Sequence, residues 1–411
     1  MKINKHCFPN GLRLVHYEDT STQMVALNIV YDVGARDEHP EHTGFAHLFE
    51  HLMFGGSAHI PDYDMPLQLA GGENNAWTNN DITNYYLTVP KPNVETAFWL
   101  ESDRMLELAF SEQSLEVQRG VVMEEFKQRC LNQPYGDVGH LFRPLAFRVH
   151  PYRWPTIGKE LSHIEQATLD EVKSFFYRFY APNNAVLAVT GNISWDETVK
   201  LTEKWFAPIP RRDVPVRQLP QEPEQTQERR LTVERNVPLD ALFMGYHMCS
   251  REGADYYAFD ILSDILSNGR SSRLNRRLVQ EQNIFSGIDA YISGTRDAGL
   301  LQISGKPAAG VSLEQAEAAV RKELEELQRS PVDGQELEKV KNKFESTQIF
   351  GNINYLNVAT NLAWFELTGK AEDIDLEVER YRSVTTEQLH TVAQRTFCES
   401  NAVVLYYKSD K

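Results

Sequence analysis

The chain has 411 residues, 41% of them hydrophobic and 24% charged, with a formal net charge of −16 at pH 7. That length suits two domains of about 200 residues each better than one core, and the acidic balance argues against nucleic acid or an anionic membrane as the main partner. No stretch approaches the roughly 18 apolar residues of a membrane span, the N-terminal stretch lacks a signal-peptide core, and the four cysteines fall in no metal-ligand spacing, so free thiols and a cytoplasmic location are expected.

Residues 4–34 read as two strands, with Asn10-Gly11 as the turn signal ahead of the first. Residues 42–57, HTGFAHLFEHLMFGGS, read as a helix closed by Gly55-Gly56. A short helical run broken at Gly71-Gly72 comes next, then strands over 75–78 and 83–89. Amphipathic helices are predicted over 94–110 and 111–130, with another after the turn NQPYGDVG. Residues 168–180 form a helix in which Thr168 is the N-cap and Glu171 completes a capping box. The strand NNAVLAVTGNI and a helix over TVKLTEKWF close the first half. Residues 208–230, rich in Pro, Gln and charge, read as a linker.

The second half repeats the first. Ile261 falls on His47, Asp264 on Glu50 and Ile265 on His51, each 214 residues on. SNAVVLYYK echoes NNAVLAVTG, and LEKVKNKFESTQ echoes LEVQRGVVMEEF. A period this long marks a duplicated domain rather than a solenoid. The expected organisation is a metal-binding domain over 1–207, a linker over 208–230, and a homologous domain without the metal motif over 231–411.

The chemistry concentrates in His47-x-x-Glu50-His51. On a helix these side chains sit at i, i+3 and i+4 and share one face. Two imidazoles one turn apart can hold one zinc ion, which needs a third protein ligand and leaves a place for water. Glu124 and Glu125 are the candidates for the third ligand. Glu125 has Val121 and Val122 at i−4 and i−3 and so falls on the apolar stripe, which selects it over Glu124. The competing reading is a pair of solvated carboxylates. Glu50 lies too close to both histidines to ligate the same ion easily, and is placed to act as general base toward water. The strand carrying Asn75, Ala76, Trp77 and Thr78 could pair an extended peptide along a free edge; alternatively it is an ordinary Asn-rich strand and turn.

HLFEHLMFGGS, NNAWTNNDITNYYLTV, RGVVMEEF and GRSSRL together resemble the pitrilysin or insulinase family of zinc metallopeptidases. The resemblance implies an α+β architecture of two tandem α/β-roll domains, each an antiparallel sheet with helices packed on one face. It implies one Zn2+ per chain held by His47, His51 and Glu125, catalysis by Glu50, and a substrate strand at Asn75-Ala76-Trp77-Thr78. It also implies a chamber for unfolded peptides closed by two half-molecules of this length, hence a dimer. Two positions depart from the family. Gln118 stands where an auxiliary glutamate is common. The Arg and Tyr, seven residues apart, that complete the family's full sites are replaced by Val279 and Ser286, and no Arg in the second half has a Tyr seven residues later. A heterodimer with a homologous chain that supplies the pair is therefore expected, with a non-catalytic assembly subunit or a hydrolase of non-peptide substrates as the other readings.

Overall fold

Two runs with few polar side chains, Met24–Tyr31 and Ala185–Gly191, become the middle strands of a six-stranded sheet. In this computed structural model, which describes residues 1–410, that sheet comprises β1 (Ile3–Cys7), β2 (Arg13–Glu18), β3 (Met24–Tyr31), β4 (Glu73–Thr78), β5 (Thr83–Pro90) and β6 (Ala185–Gly191). Its order is β1-β2-β6-β3-β5-β4. All neighbours are antiparallel except β2 and β6. A strand covered on both faces should read as a near-continuous apolar run rather than as an alternation, and β3 and β6 do apart from Asn28, which is bonded to Asn84, and Thr190. One face packs on the helices Phe45–Leu52, Val94–Leu106 and Leu169–Phe179 through Leu27, Ile29, Leu187 and Val189. On the other face Val15, Ala26, Val30, Val186 and Ala188 meet Val358, Ala359, Leu362 and Ala363 of the helix Tyr355–Thr368.

The second sheet has β7 (Arg229–Arg235), β8 (Ala241–Met248), β9 (Phe285–Ile292), β10 (Gly299–Pro307) and β11 (Ala402–Ser409) in the order β7-β11-β8-β10-β9. Only β7 and β11 run parallel. β6 and β11, the echoed strands, occupy equivalent places, each between a parallel and an antiparallel neighbour. Helices Tyr256–Ser267, Leu313–Arg329 and Thr386–Thr396 cover one face. Phe142 and Ala146 of the helix Val138–Ala146 pack on Leu300, Val403 and Leu405 of the other.

The architecture is the expected α+β one, two sheets with helices. Its refinements are one parallel pair per sheet and a single helix on the face expected to be bare. That helix comes from the other half of the sequence each time. One compact unit comprises residues 1–131, 154–220 and 349–376; the other comprises 132–153, 221–348 and 377–411. Contiguous boundaries at 207 and 231 therefore follow the chain, whereas the compact units exchange a helix.

The 208–230 stretch has little to bury, as its composition suggests, yet charged side chains pin it. Arg212 donates to the carbonyls of Tyr180 and Leu106, and Arg217 pairs with Asp32 and Asp37. In the second unit Glu222 accepts from the N–H groups of Arg148, Val149 and His150. Such charge-assisted bonds hold backbone that has no ladder of its own. No helix among the described residues is long and apolar enough to cross a membrane.

Candidate metal centre

The helix Phe45–Leu52 is shorter than the 42–57 expected from sequence and begins without a Ser, Thr, Asn or Asp cap. Gly44 before it has φ +87°, and a Cβ there would meet the Ile164 side chain at 2.7 Å and the Ile157 carbonyl at 2.9 Å. The missing cap is replaced from outside. Glu38 accepts from the N–H groups of Gly44 and Ala46, each at 2.9 Å. Burial pushes the Glu38 carboxyl up to about 8, against the pull of those two donors. Replacing Glu38 with alanine leaves two buried donors unsatisfied, so we expect a loss of roughly 1–3 kcal/mol, read as a lower urea midpoint.

Phe49 anchors the helix, stacking on Phe175 and Tyr180 at 5.0 and 5.1 Å. Around the helix from it, the His47 and His51 rings lie 5.0 Å apart and nearly perpendicular. A second helix, Glu112–Phe126, capped by Ser111, delivers the carboxylate. Glu125 Oε2 is 3.5 Å from His47 Nε2 and 3.3 Å from His51 Nε2. Glu124 points to solvent and lies 3.5 Å from Lys127 Nζ. The stripe argument for Glu125 holds only through Val122, which is fully buried; Val121 is 46% exposed.

These three residues fit a zinc ion. Two donors at roughly 2.0–2.2 Å from one tetrahedral centre lie about 3.3–3.6 Å apart, and both measured separations fall in that range. One donor atom from each residue lies within 4.8 Å of the other two. Burial lowers the His47 imidazole to about 4, despite the nearby Glu125 carboxylate, so it is neutral with a lone pair to give. His47 Nδ1 is buried without a hydrogen-bond partner, and Nε2 is the ring nitrogen that faces Glu125. Glu125 is held below the usual carboxylate range, first by its hydrogen bond with His51. Glu50 is pushed up by burial, with Thr78 as a hydrogen-bond partner opposing the shift.

β4 is the outer strand of its sheet and pairs only with β5. Ala76, Trp77 and Thr78 line a cleft of about 440 Å³ together with His47, Glu50, His51 and Glu125. Asn75 lies on the same edge outside that lining, its Oδ1 accepting from the Ala76 N–H. Arg129, Thr156 and Ile157 complete the wall and were not anticipated. Trp154, buried and donating to the Ala35 carbonyl, anchors the loop that presents Thr156 and Ile157. The one available signal was Gly158, whose φ of +105° permits its approach to Thr43 and Gly44.

In the duplicated unit Ile261 and Ile265 are buried in the core and offer no donor atom. Val279 lies in a π-helical turn, Asn275–Glu281, and Ser286 sits exposed on β9 with its hydroxyl on the Lys306 carbonyl.

Residues 13–137 match the model of insulinase, peptidase family M16, and residues 166–344 match that of the peptidase M16 inactive domain. The chain belongs to the M16 family. His47, Glu50, His51 and Glu125 all lie within the insulinase match, and the inactive-domain match begins after them. A zinc protease of Helicobacter pylori, PqqE, is 26% identical over 97% of this chain and 91% of its own. The crystal structure of a protease from Helicobacter pylori superimposes with a TM-score of 0.94, at 26% identity and 99% coverage of both chains. The periplasmic protease PqqL of Escherichia coli shares the fold at a TM-score of 0.81 and 18% identity, over 99% of this M16 chain but 47% of PqqL.

Proposed function

We propose that this M16 chain is a zinc-dependent metalloendopeptidase acting on peptides or unfolded polypeptides, and the catalytic subunit of a two-subunit enzyme. The observation that carries the reading is the meeting of His47, His51 and Glu125, with donor atoms within 4.8 Å of one another, beside Glu50 in a cleft bordered by a free strand edge.

His47 Nε2, His51 Nε2 and Glu125 Oε2 are the ligands in this reading. Zinc bound there supplies a Lewis acid that polarises a carbonyl and makes water acidic enough to ionise near pH 7. An extended peptide adds to the outer edge of β4 through main-chain hydrogen bonds, which orient it without reading most side chains. Glu50 takes the proton from the attacking water and passes it to the departing amine nitrogen. Its raised pKa suits both halves of that transfer.

The second half offers neither an arginine nor a tyrosine at the positions of Val279 and Ser286. We assign that donor pair to a homologous chain, in a dimer of two such halves. The match of this chain to about half of PqqL is consistent with pairing. No disulfide joins the four cysteines, which suits a reducing compartment, the cytoplasm. The match to the inactive-domain model favours one other reading, a non-catalytic assembly subunit.

The test is zinc analysis together with cleavage of an internally quenched peptide, by the purified chain alone and mixed with its homologous partner. The expected result is one zinc per chain, lost in His47→Ala, with full turnover only in the mixture. Full turnover by the lone chain rejects the partner. Zinc without turnover in either sample supports the assembly subunit.

A further inference from the structure

We propose that Arg129 is a positioning residue of the metal centre: it clamps one oxygen of Glu125, so that the carboxylate presents only the other to the two imidazoles. The inference rests on the metal reading given above.

The observation is a carboxylate divided between two sets of partners. Oε2 faces His47 Nε2 at 3.5 Å and His51 Nε2 at 3.3 Å. Oε1 lies 2.8 Å from Arg129 Nη1. A glutamate moves between one-oxygen and two-oxygen binding of a cation by a small rotation of its carboxylate, and both modes occur in proteins. Two-oxygen binding would take up the place that a hydrolytic zinc site leaves for water. A guanidinium on Oε1 opposes that rotation with a charge-assisted hydrogen bond. Outer partners of this kind change metal affinity by about 10–100-fold when removed.

The local chain is built for the contact. Arg129 follows Glu125 by one turn, where the helix Glu112–Phe126 passes into a π-turn, Lys127–Leu131. Such turns gather at functional sites. The Arg129 side chain is 67% exposed while that of Glu125 is 18% exposed, so Arg129 adds little to packing and its replacement should spare the fold. It also lines the cleft, beside the groups it would organise. An ordinary surface ion pair at this spacing would leave metal binding untouched, and that difference makes the role testable.

The experiment compares the full chain with Arg129→Gln and Arg129→Lys. Zinc affinity is measured by competition with a chromophoric chelator, coordination by the visible spectrum of the cobalt(II)-substituted protein, and stability by thermal unfolding of the metal-free protein. We expect Arg129→Gln to bind zinc about 10–100-fold more weakly and to show weaker cobalt bands as Glu125 turns both oxygens to the ion. Its metal-free unfolding should be unchanged, and Arg129→Lys should recover part of the affinity. Equal zinc affinities and equal cobalt spectra in the unsubstituted chain and Arg129→Gln overturn the positioning role and leave the metal reading standing. A loss of metal-free stability in Arg129→Gln, with no recovery in Arg129→Lys, makes the residue structural and also overturns the role. An unsubstituted chain that binds no zinc overturns both.

Discussion

Glu50→Gln is expected to keep zinc at one per chain and to lower peptide turnover by roughly 10²–10⁴-fold, the usual contribution of a positioned general base. Glutamine has nearly the size and shape of glutamate, so the helix Phe45–Leu52 and the imidazoles it carries should stay in place. Its amide can still meet Thr78, the hydrogen-bond partner of Glu50. What the amide cannot do is accept a proton from water and return it to a leaving amine. Metal content by atomic emission and kcat on a quenched peptide, measured on the same preparation, separate the two roles. If Glu50→Gln loses its zinc, Glu50 is a ligand and the proton-transfer role falls. If turnover is undiminished, another group is the base.

A fragment of residues 1–207 is expected not to fold to a stable monomer, although it contains every proposed metal ligand. Val15, Ala26, Val30, Val186 and Ala188 are fully buried in the whole chain, and the helix Tyr355–Thr368 is what covers them. Fully burying one such aliphatic side chain is worth about 1.5–3 kcal/mol for the larger ones. Uncovering several at once rivals the roughly 5–15 kcal/mol by which a domain is stable. A sheet face left bare in this way also invites association. The fragment should bind a hydrophobic dye and sediment as aggregates. Residues 1–131 and 154–220, bridged by a flexible linker in place of the 132–153 segment of the other unit and joined through a second linker to 349–376, should remain monomeric and melt cooperatively. Cooperative unfolding of monomeric 1–207 by itself would show that the borrowed helix is dispensable.

The helix Tyr355–Thr368, which the second fragment adds, is a segment whose importance no local pattern reveals. The period of apolar residues in Tyr355–Thr368 says that the helix buries a face; it is silent on which sheet receives it. The same limit explains Glu38. Nothing in ARDEHPEHT marks a glutamate that caps a helix six to eight residues later, because the contact depends on how the loop returns. It explains Thr156 and Ile157 as well, which reach the cleft only because Trp154 is anchored on the Ala35 carbonyl.

What the sequence determined alone was whatever a single element can encode. The spacing of His47, Glu50 and His51 puts them on one helical face, since a helix has 3.6 residues per turn. The echo of Ala185–Gly191 in Ala402–Ser409 announced two copies of one strand, and both became inner strands of their sheets. The choice of Glu125 over Glu124 was legible through Val122, while Val121 misled because burial depends on what stands opposite. Tertiary structure alone decided the 3.3 and 3.5 Å approach of Glu125 to the histidines, the hold of Arg129 on its other oxygen, the parallel pairings and the exchanged helices. Each joins residues of different elements, and periodicity records which face of an element is apolar without recording what will cover it.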